Sequence, residues 1–313
     1  MNFSSSINSV TNTYNKLPFI GKLLILVTTL LIVIVMLKGF NMPNLVEGFE
    51  QVDKFMFKQG QEIYDDFYAD VYDYLVFNEM KNDFEVGFII NQTTPTSKSV
   101  ILDIGSGTGH HVAKMSDNGY NVTGVDNSEA MIRKAKQKYP GLNFELGDVM
   151  DGNKFKNNSF THIMCMYFTL YYLKSKQQFF ENCMEWLMPG GYLILHLVDE
   201  HKFDPIIPPG NPLYIVSPQR YAKERITKTK VTFDQFVYTS NFDFNSGKSI
   251  ATFNEKFKFN DGKIRKNEHT LYMEPIDNIV NYAKEAGFLL QGKVDLIKCA
   301  YDYQYLYIFV KPS

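Results

Sequence analysis

The chain offers little sulfur chemistry: three cysteines in 313 residues, Cys165, Cys183 and Cys299, none in a C-x-x-C spacing. Each lies in an apolar stretch, where a thiol behaves as a small hydrophobe, so neither a disulfide framework nor a zinc ribbon is expected. The six histidines fall in neither H-E-x-x-H nor H-x-x-x-H order, which leaves no basis for a metal site. An excess of one charge is missing too. With 32 Lys and Arg against 34 Asp and Glu, the net charge of −2 gives no basic footprint for a nucleic acid. Hydrophobic residues make up 45% of the chain and aromatics 15%, which supports one large α/β domain with additions rather than two full domains.

The densest local signal is Val100-Ile-Leu-Asp-Ile-Gly-Ser-Gly-Thr-Gly-His-His, followed by Asn121-Val-Thr-Gly-Val-Asp126. It reads as a buried strand, a glycine turn, a helix and a second strand ending in an acid. Gly105, Gly107 and Gly109 let the backbone turn sharply and approach a ligand closely. A dinucleotide fingerprint needs its third glycine at position 110, where His110 stands, so the pyrophosphate reading weakens and a nicotinamide-dependent reductase becomes the less favoured reading. Asp126 lies about 20 residues past the first glycine, where an acid accepts both hydroxyl hydrogens of a ribose. A nucleoside cofactor is the expectation. Downstream, strands alternate with helices through Val198, which implies a parallel sheet with ligands at the carboxyl ends of its strands.

In these motifs the sequence resembles the class I S-adenosylmethionine-dependent methyltransferases of the small-molecule type. Phe144-Glu-Leu-Gly-Asp148 resembles the strand and acidic loop that reads adenine, Ser159 to Leu170 the fourth strand and the loop facing the methyl group, and Leu187 to His196 the turn into the fifth strand. Gly287-Phe and the two apolar strands up to Lys311 resemble the closing antiparallel pair. Thr161 departs from the pattern, since many relatives carry an acid there. The resemblance implies an α/β fold: a Rossmann-like, seven-stranded, mostly parallel sheet with helices on both faces. It implies S-adenosylmethionine as cofactor, held by Asp103, Gly105, Ser106, Gly107 and Gly109 at the methionine end, Asp126 and Asn127 at the ribose, and Asp148 and Val149 at the adenine. Tyr72, and Tyr68 beside it, come from the helix that roofs the cofactor in that family. Tyr167 follows the fourth strand, near the methyl. His196, with His111, His269 and Asp199 as rivals, is the candidate base or substrate contact. A small-molecule methyl acceptor, modified at nitrogen or oxygen, is the expected partner; a protein or lipid acceptor and a non-catalytic scaffold are the alternatives.

Two segments fall outside that frame. Leu23–Leu37 carries no charge, and with Lys22 and Lys38 snorkelling the apolar stretch at 17–40 is long enough to cross a bilayer once. A cleaved signal peptide is the rival, and the flank Lys38-Gly-Phe-Asn-Met-Pro offers no clear pair of small residues for cleavage. Lysines balance on either side, so charge assigns no orientation; the cofactor's cytosolic supply points the catalytic domain to the cytosol. The expected organisation is a disordered tail at 1–16, a transmembrane helix at 17–40, a tether at 41–63 and a methyltransferase domain at 64–313. Within it, residues 200–273 form a small antiparallel lid sheet inserted after the fifth strand, signalled by the hairpin turn Asn260-Asp-Gly-Lys263. Arg220, Arg225, Lys230, Lys256, Lys258 and Arg265 read as exposed basic residues of solvated strand faces. Tyr64 to Ile90 alternates acids and aromatics at helical spacing, with Tyr64, Tyr68, Tyr72 and Leu75 on one face. Oligomeric state is unreadable.

Overall fold

A computed structural model of the protein describes residues 18–40, 55–210 and 217–313. The tail expected at 1–16, most of the tether expected at 41–63 and part of the Pro205–Pro212 loop lie outside them. The chain divides into two units, residues 1–50 and 51–313. In the first, helix α1 runs Phe19–Phe40, with side chains described as far as Leu30; Phe19, Ile20, Leu24 and Leu26 are exposed. Among the described residues no helix is long and apolar enough to cross a membrane.

The second unit is built on a seven-stranded sheet. Its strands are β2 (Val100–Ile104), β3 (Asn121–Asp126), β4 (Asn143–Leu146), β5 (Phe160–Cys165), β6 (Leu187–Val198), β11 (Leu289–Leu296) and β12 (Tyr301–Val310), in the order β11-β12-β6-β5-β2-β3-β4. β2 to β6 are parallel, and β12 is antiparallel to both its neighbours. The central strands read as continuous apolar runs because helices cover both faces. Successive side chains point to opposite faces: Ile163, Cys165, Leu193 and Leu195 enter one core with Trp186 and Phe180, while Met164 and Ile194 enter the other with Val86, Ile89 and Val112. The three cysteines are free and buried.

A second, five-stranded sheet joins β1 (Phe55–Gln59) to β7 (Lys228–Thr232), β8 (Phe236–Asn245), β9 (Ile250–Phe259) and β10 (Ile264–Tyr272), these four inserted between β6 and β11, in the order β1-β10-β9-β8-β7. Its turn at Asn260-Asp-Gly is tight, with Gly262 at φ 89. One correction concerns the tether: Phe55–Gln59 is strand β1, which pairs parallel with β10, Phe55 opposite Ile264. Another concerns Arg265. It is 2% exposed and donates to both carboxylate oxygens of Asp65 at 2.8 Å and to the Ile63 carbonyl at 2.8 Å, so it belongs to a buried ion pair rather than a solvated face.

The aromatic and acidic stretch forms two helices, α2 (Asp66–Val76) and α3 (Glu79–Thr93). Asn78 splits them by capping α3, its side chain accepting from the Lys81 amide at 3.0 Å. The alternation in α2 has a simple physical cause. Its apolar face, with Tyr68, Val71 and Leu75, packs with Phe236, Tyr238 and Phe257 of the second sheet. Its acids Asp66, Asp70 and Asp73 pair with Arg133, Lys134 and Lys138 of helix α5 (Glu129–Lys138), which follows helix α4 (His110–Asp117). Helices α6 (Thr169–Tyr172), α7 (Lys176–Trp186) and α8 (Ile276–Glu285) complete the fold. The roof helix is thereby fixed between the lid sheet and the edge of the main sheet where ligands bind.

Candidate cofactor and acceptor site

The glycine turn leaves β2 with Gly105 and Ser106 donating their amides to the Val125 carbonyl at 2.8 and 3.0 Å. Gly105 has φ +67, and a Cβ there would lie 2.4 Å from Cγ2 of Thr169, so the position needs glycine for both conformation and space. Beside it opens a cavity of about 510 Å³ whose lining includes Tyr72, Gly105, Gly107, Asp126, Asn127 and Asp148, with Val149 at its edge. Asp126 accepts the Gly107 amide on Oδ2 and the Ser128 amide on Oδ1, each at 2.9 Å. Burial raises its pKa, and the amides of Ser128, Gly107 and Asn127 oppose that. Asp148 is exposed and accepts the Met150 amide on Oδ1 at 2.9 Å, leaving its other oxygen for a ligand.

A smaller cavity of about 60 Å³ continues from the turn, lined by Asp103, Ser106, His111 and Tyr167. Asp103 is 1% exposed, and its Oδ2 has no hydrogen-bond partner. Burial pushes its pKa up to about 7, with repulsion from Asp126 and Glu85 adding to the rise and His111 opposing it. An unsatisfied buried carboxylate oxygen is costly, and a cationic donor arriving from the cavity relieves it. The donor set fits S-adenosylmethionine: a carboxylate for the ammonium, backbone amides for the carboxylate, and acids at the ribose and adenine positions.

A third cavity, of about 140 Å³, lies against these and is walled by Tyr68, Tyr167, Phe168, Phe203, Phe242 and Phe253. Four side chains, Tyr64, Tyr72, Tyr172 and His269, line both this cavity and the 510 Å³ one. Those four side chains form the wall the two cavities share.

The histidine candidates separate cleanly. His196 is corrected: it is fully buried, its Nδ1 bonds the Tyr167 carbonyl at 2.6 Å and its Nε2 bonds Gln304 Oε1 at 2.9 Å, so neither nitrogen is free for a substrate proton. Burial lowers its pKa to about 4, and Lys81 lowers it further against Glu85. It is a positioning residue that holds Tyr167, whose φ of 49 is unusual for a non-glycine residue. The Tyr167 ring lines both smaller cavities and carries the Lys81 ammonium 3.8 Å from its centroid. His111 bonds Glu85 Oε2 at 3.0 Å, and Glu85 also pairs with Lys81. Asp199 pairs with Lys202 at 3.2 Å and lines none of these three cavities. His269 alone of the rivals faces the shared wall.

Its partners escaped the sequence reading. Glu255, 3% exposed, accepts from Tyr68 at 3.1 Å, Tyr238 at 2.7 Å, Asn267 at 3.0 Å and His269 Nε2 at 2.8 Å. Burial works to raise its pKa, but His269, Asn267 and Tyr238 outweigh that and hold it below the usual range. The signal was one of parity: Ala251, Glu255 and Phe257 share the inward face of β9, so the acid stands in an apolar row.

Residues 101–191 match the family model described as a methyltransferase domain. The dTDP-3-amino-3,4,6-trideoxy-alpha-D-glucopyranose N,N-dimethyltransferase of Streptomyces venezuelae is 26% identical over 138 residues, 41% of this chain and 56% of that protein. Phosphoethanolamine N-methyltransferase of Plasmodium falciparum is 29% identical over 112 residues, 34% of this chain and 42% of that enzyme. The chain therefore spans about half the length of the curated relatives it matches. The CcbJ methyltransferase of Streptomyces caelestis shares the fold, with a TM-score of 0.60 at 18% identity over 81% of this chain and 100% of that one. The chain thus carries a methyltransferase domain at residues 101–191, on a fold shared with known methyltransferases.

Proposed function

We propose that the protein transfers a methyl group from S-adenosylmethionine to a nitrogen or oxygen of a small molecule. The observation that carries this reading is the unpartnered Asp103 oxygen beside the glycine turn, on the same sheet edge as Asp126 and Asp148. Asp103 and the turn amides would hold the methionine end, Asp126 and Asn127 the ribose, Asp148 and Val149 the adenine, and Tyr72 would close the cavity from above. When bound, the sulfonium supplies a methyl that is already electrophilic, so the protein's part is placement and proton removal. The small aromatic cavity favours a small acceptor over a protein or lipid chain. Relatives named for amino-sugar and phosphoethanolamine methylation support the same class.

Calorimetric titration of the full chain in detergent with S-adenosylmethionine and S-adenosylhomocysteine tests the reading. Micromolar binding is expected, and Asp126→Ala should weaken it about 100-fold, the roughly 2.7 kcal/mol of two hydrogen bonds to a charged acceptor. A folded protein that binds neither ligand removes the enzyme and leaves a scaffold.

The same reading anchors the chain by residues 17–40 as a single-pass protein, with its catalytic domain on the cytosolic face where the cofactor is supplied. Support comes from the uncharged run Leu23–Leu37 and from the exposed apolar side chains of α1. Taken whole, the stretch 17–40 would cover more than about 30 Å as one helix, the thickness of a hydrocarbon core. Alkaline carbonate should leave the full chain in the membrane pellet and release a chain lacking 17–40; release of both makes α1 a peripheral element.

A further inference from the structure

We propose that Glu255, His269 and Tyr172 form a proton relay that deprotonates a hydroxyl methyl acceptor of single-ring size bound in the aromatic cavity. This rests on the reading that the 510 Å³ cavity holds S-adenosylmethionine.

The relay is continuous. His269 Nε2 lies 2.8 Å from Glu255 Oε2, and His269 Nδ1 lies 2.9 Å from the Tyr172 hydroxyl. An ionised carboxylate only accepts, so Nε2 carries the hydrogen and Nδ1 is the lone-pair nitrogen that receives the Tyr172 proton. Glu255 already takes three further donors and stays ionised, which fixes this tautomer and stabilises an imidazolium once formed. Tyr172 and His269 both face the wall shared by the two cavities, and His269 is 1% exposed, away from bulk water. The arrangement is a base, its orienting carboxylate and a hydroxyl that passes the proton on.

The cavity narrows the acceptor. Its volume of about 140 Å³ is close to the roughly 150 Å³ of an engineered cavity that takes benzene. An aromatic box also suits a cation. This one already has the Lys81 ammonium over Tyr167, and its carboxylate Asp204 is engaged by Ser217 at 2.5 Å, Gln219 at 3.0 Å and the Ile206 amide at 3.0 Å. Among the described residues of its lining no other carboxylate is there to hold an ammonium, which disfavours an amine. A hydroxyl is a weak nucleophile until its proton leaves, and that is what the relay supplies. In the transfer the acceptor O–H bond breaks and its proton passes to the Tyr172 oxygen as the Tyr172 proton passes to His269 Nδ1. The oxygen–methyl bond forms as the methyl–sulfur bond breaks, and that electron pair stays on sulfur as a neutral thioether. The imidazolium then returns its proton to Tyr172, whose own proton passes to water entering the vacated cavity.

The test uses the full chain in detergent with 2,6-difluorophenol, a ring-sized phenol whose single fluorine resonance reports its ionisation. S-adenosylhomocysteine binding is measured first by calorimetry. With that ligand bound, the phenol should bind and ionise at a pH at least one lower than in His269→Asn or Tyr172→Phe, a tenfold or greater change in proton affinity. With S-adenosylmethionine at saturation instead, the same resonance should report the methyl ether, formed at least 100-fold more slowly by either variant. Burial alone raises a phenol's pKa, so packing without a relay gives the opposite shift. Equal ionisation in wild type and both variants overturns the relay. Binding of S-adenosylhomocysteine without binding of the phenol overturns the acceptor class alone, and failure to bind S-adenosylhomocysteine overturns the cofactor reading and the relay with it.

Discussion

Asp103→Asn is expected to stabilise the ligand-free protein at pH 8 while destroying its affinity for S-adenosylmethionine. Asp103 is the penultimate residue of β2, where burial and the neighbouring acids Asp126 and Glu85 push its carboxyl up to about 7. An unfolded aspartate titrates near 4, so between about pH 4 and 7 the folded protein binds more protons than the unfolded one. Stability attributable to this residue therefore falls as pH rises through that window and stays low above it. The gap corresponds to at most about 4 kcal/mol, and a neutral amide removes most of it. Urea denaturation should show a gain of about 1–3 kcal/mol for the variant at pH 8 and little at pH 4. Calorimetry should show at least a 100-fold loss of cofactor affinity. The wild type should also release a proton on binding at pH 6–7, because the ligand's ammonium favours the carboxylate, and its affinity should tighten as pH rises through 7. A variant less stable than wild type at pH 8 would mean that the carboxylate is satisfied in the ligand-free protein.

The cofactor edge was legible because it is local. The glycine turn, Asp126 and Asp148 fall within fifty residues of one another, each at the carboxyl end of a strand whose apolar run announces it, and a doubly wound sheet brings such ends together. The parallel strands of the sheet followed from the same alternation, and its closing antiparallel pair from the family resemblance. The acceptor side was not legible for the converse reason. Glu255 and Tyr68 are 187 residues apart, and Tyr172 and His269 are 97 apart, so their meeting depends on how the lid seats on the roof helix. His196 was misplaced because the end of a strand says nothing about its face; parity sends it inward, to Gln304 on β12. Strand β1 is five residues with exposed and half-buried positions alternating, and its partner lies some two hundred residues later. The break at Asn78 has a local signal, an asparagine placed to cap α3.

Glu255→Leu carries the largest expected cost in stability. The carboxylate is the shared acceptor for Tyr68 of the roof helix, Tyr238 of β8, and Asn267 and His269 of β10, so its removal leaves four buried donors without a partner. Each orphan costs about 1–3 kcal/mol before relaxation, and breaking a buried charge network typically costs about 3–5 kcal/mol in all. Denaturation at pH 7 should show a loss in that range, while Glu255→Gln, which keeps one acceptor oxygen, should lose about half as much. The pH dependence separates charge from packing. Because the folded carboxyl titrates below its ordinary value, its contribution is complete above the unfolded pKa near 4.3 and is lost as pH falls through the folded value. The gap between wild type and Glu255→Leu should therefore narrow below about pH 4. A gap that stays constant down to pH 3 would assign the loss to packing alone. If the gap closes as expected, one buried charge both ties the lid to the roof helix and sets the tautomer of His269, so the group that holds the acceptor cavity together is also the group that orients its base.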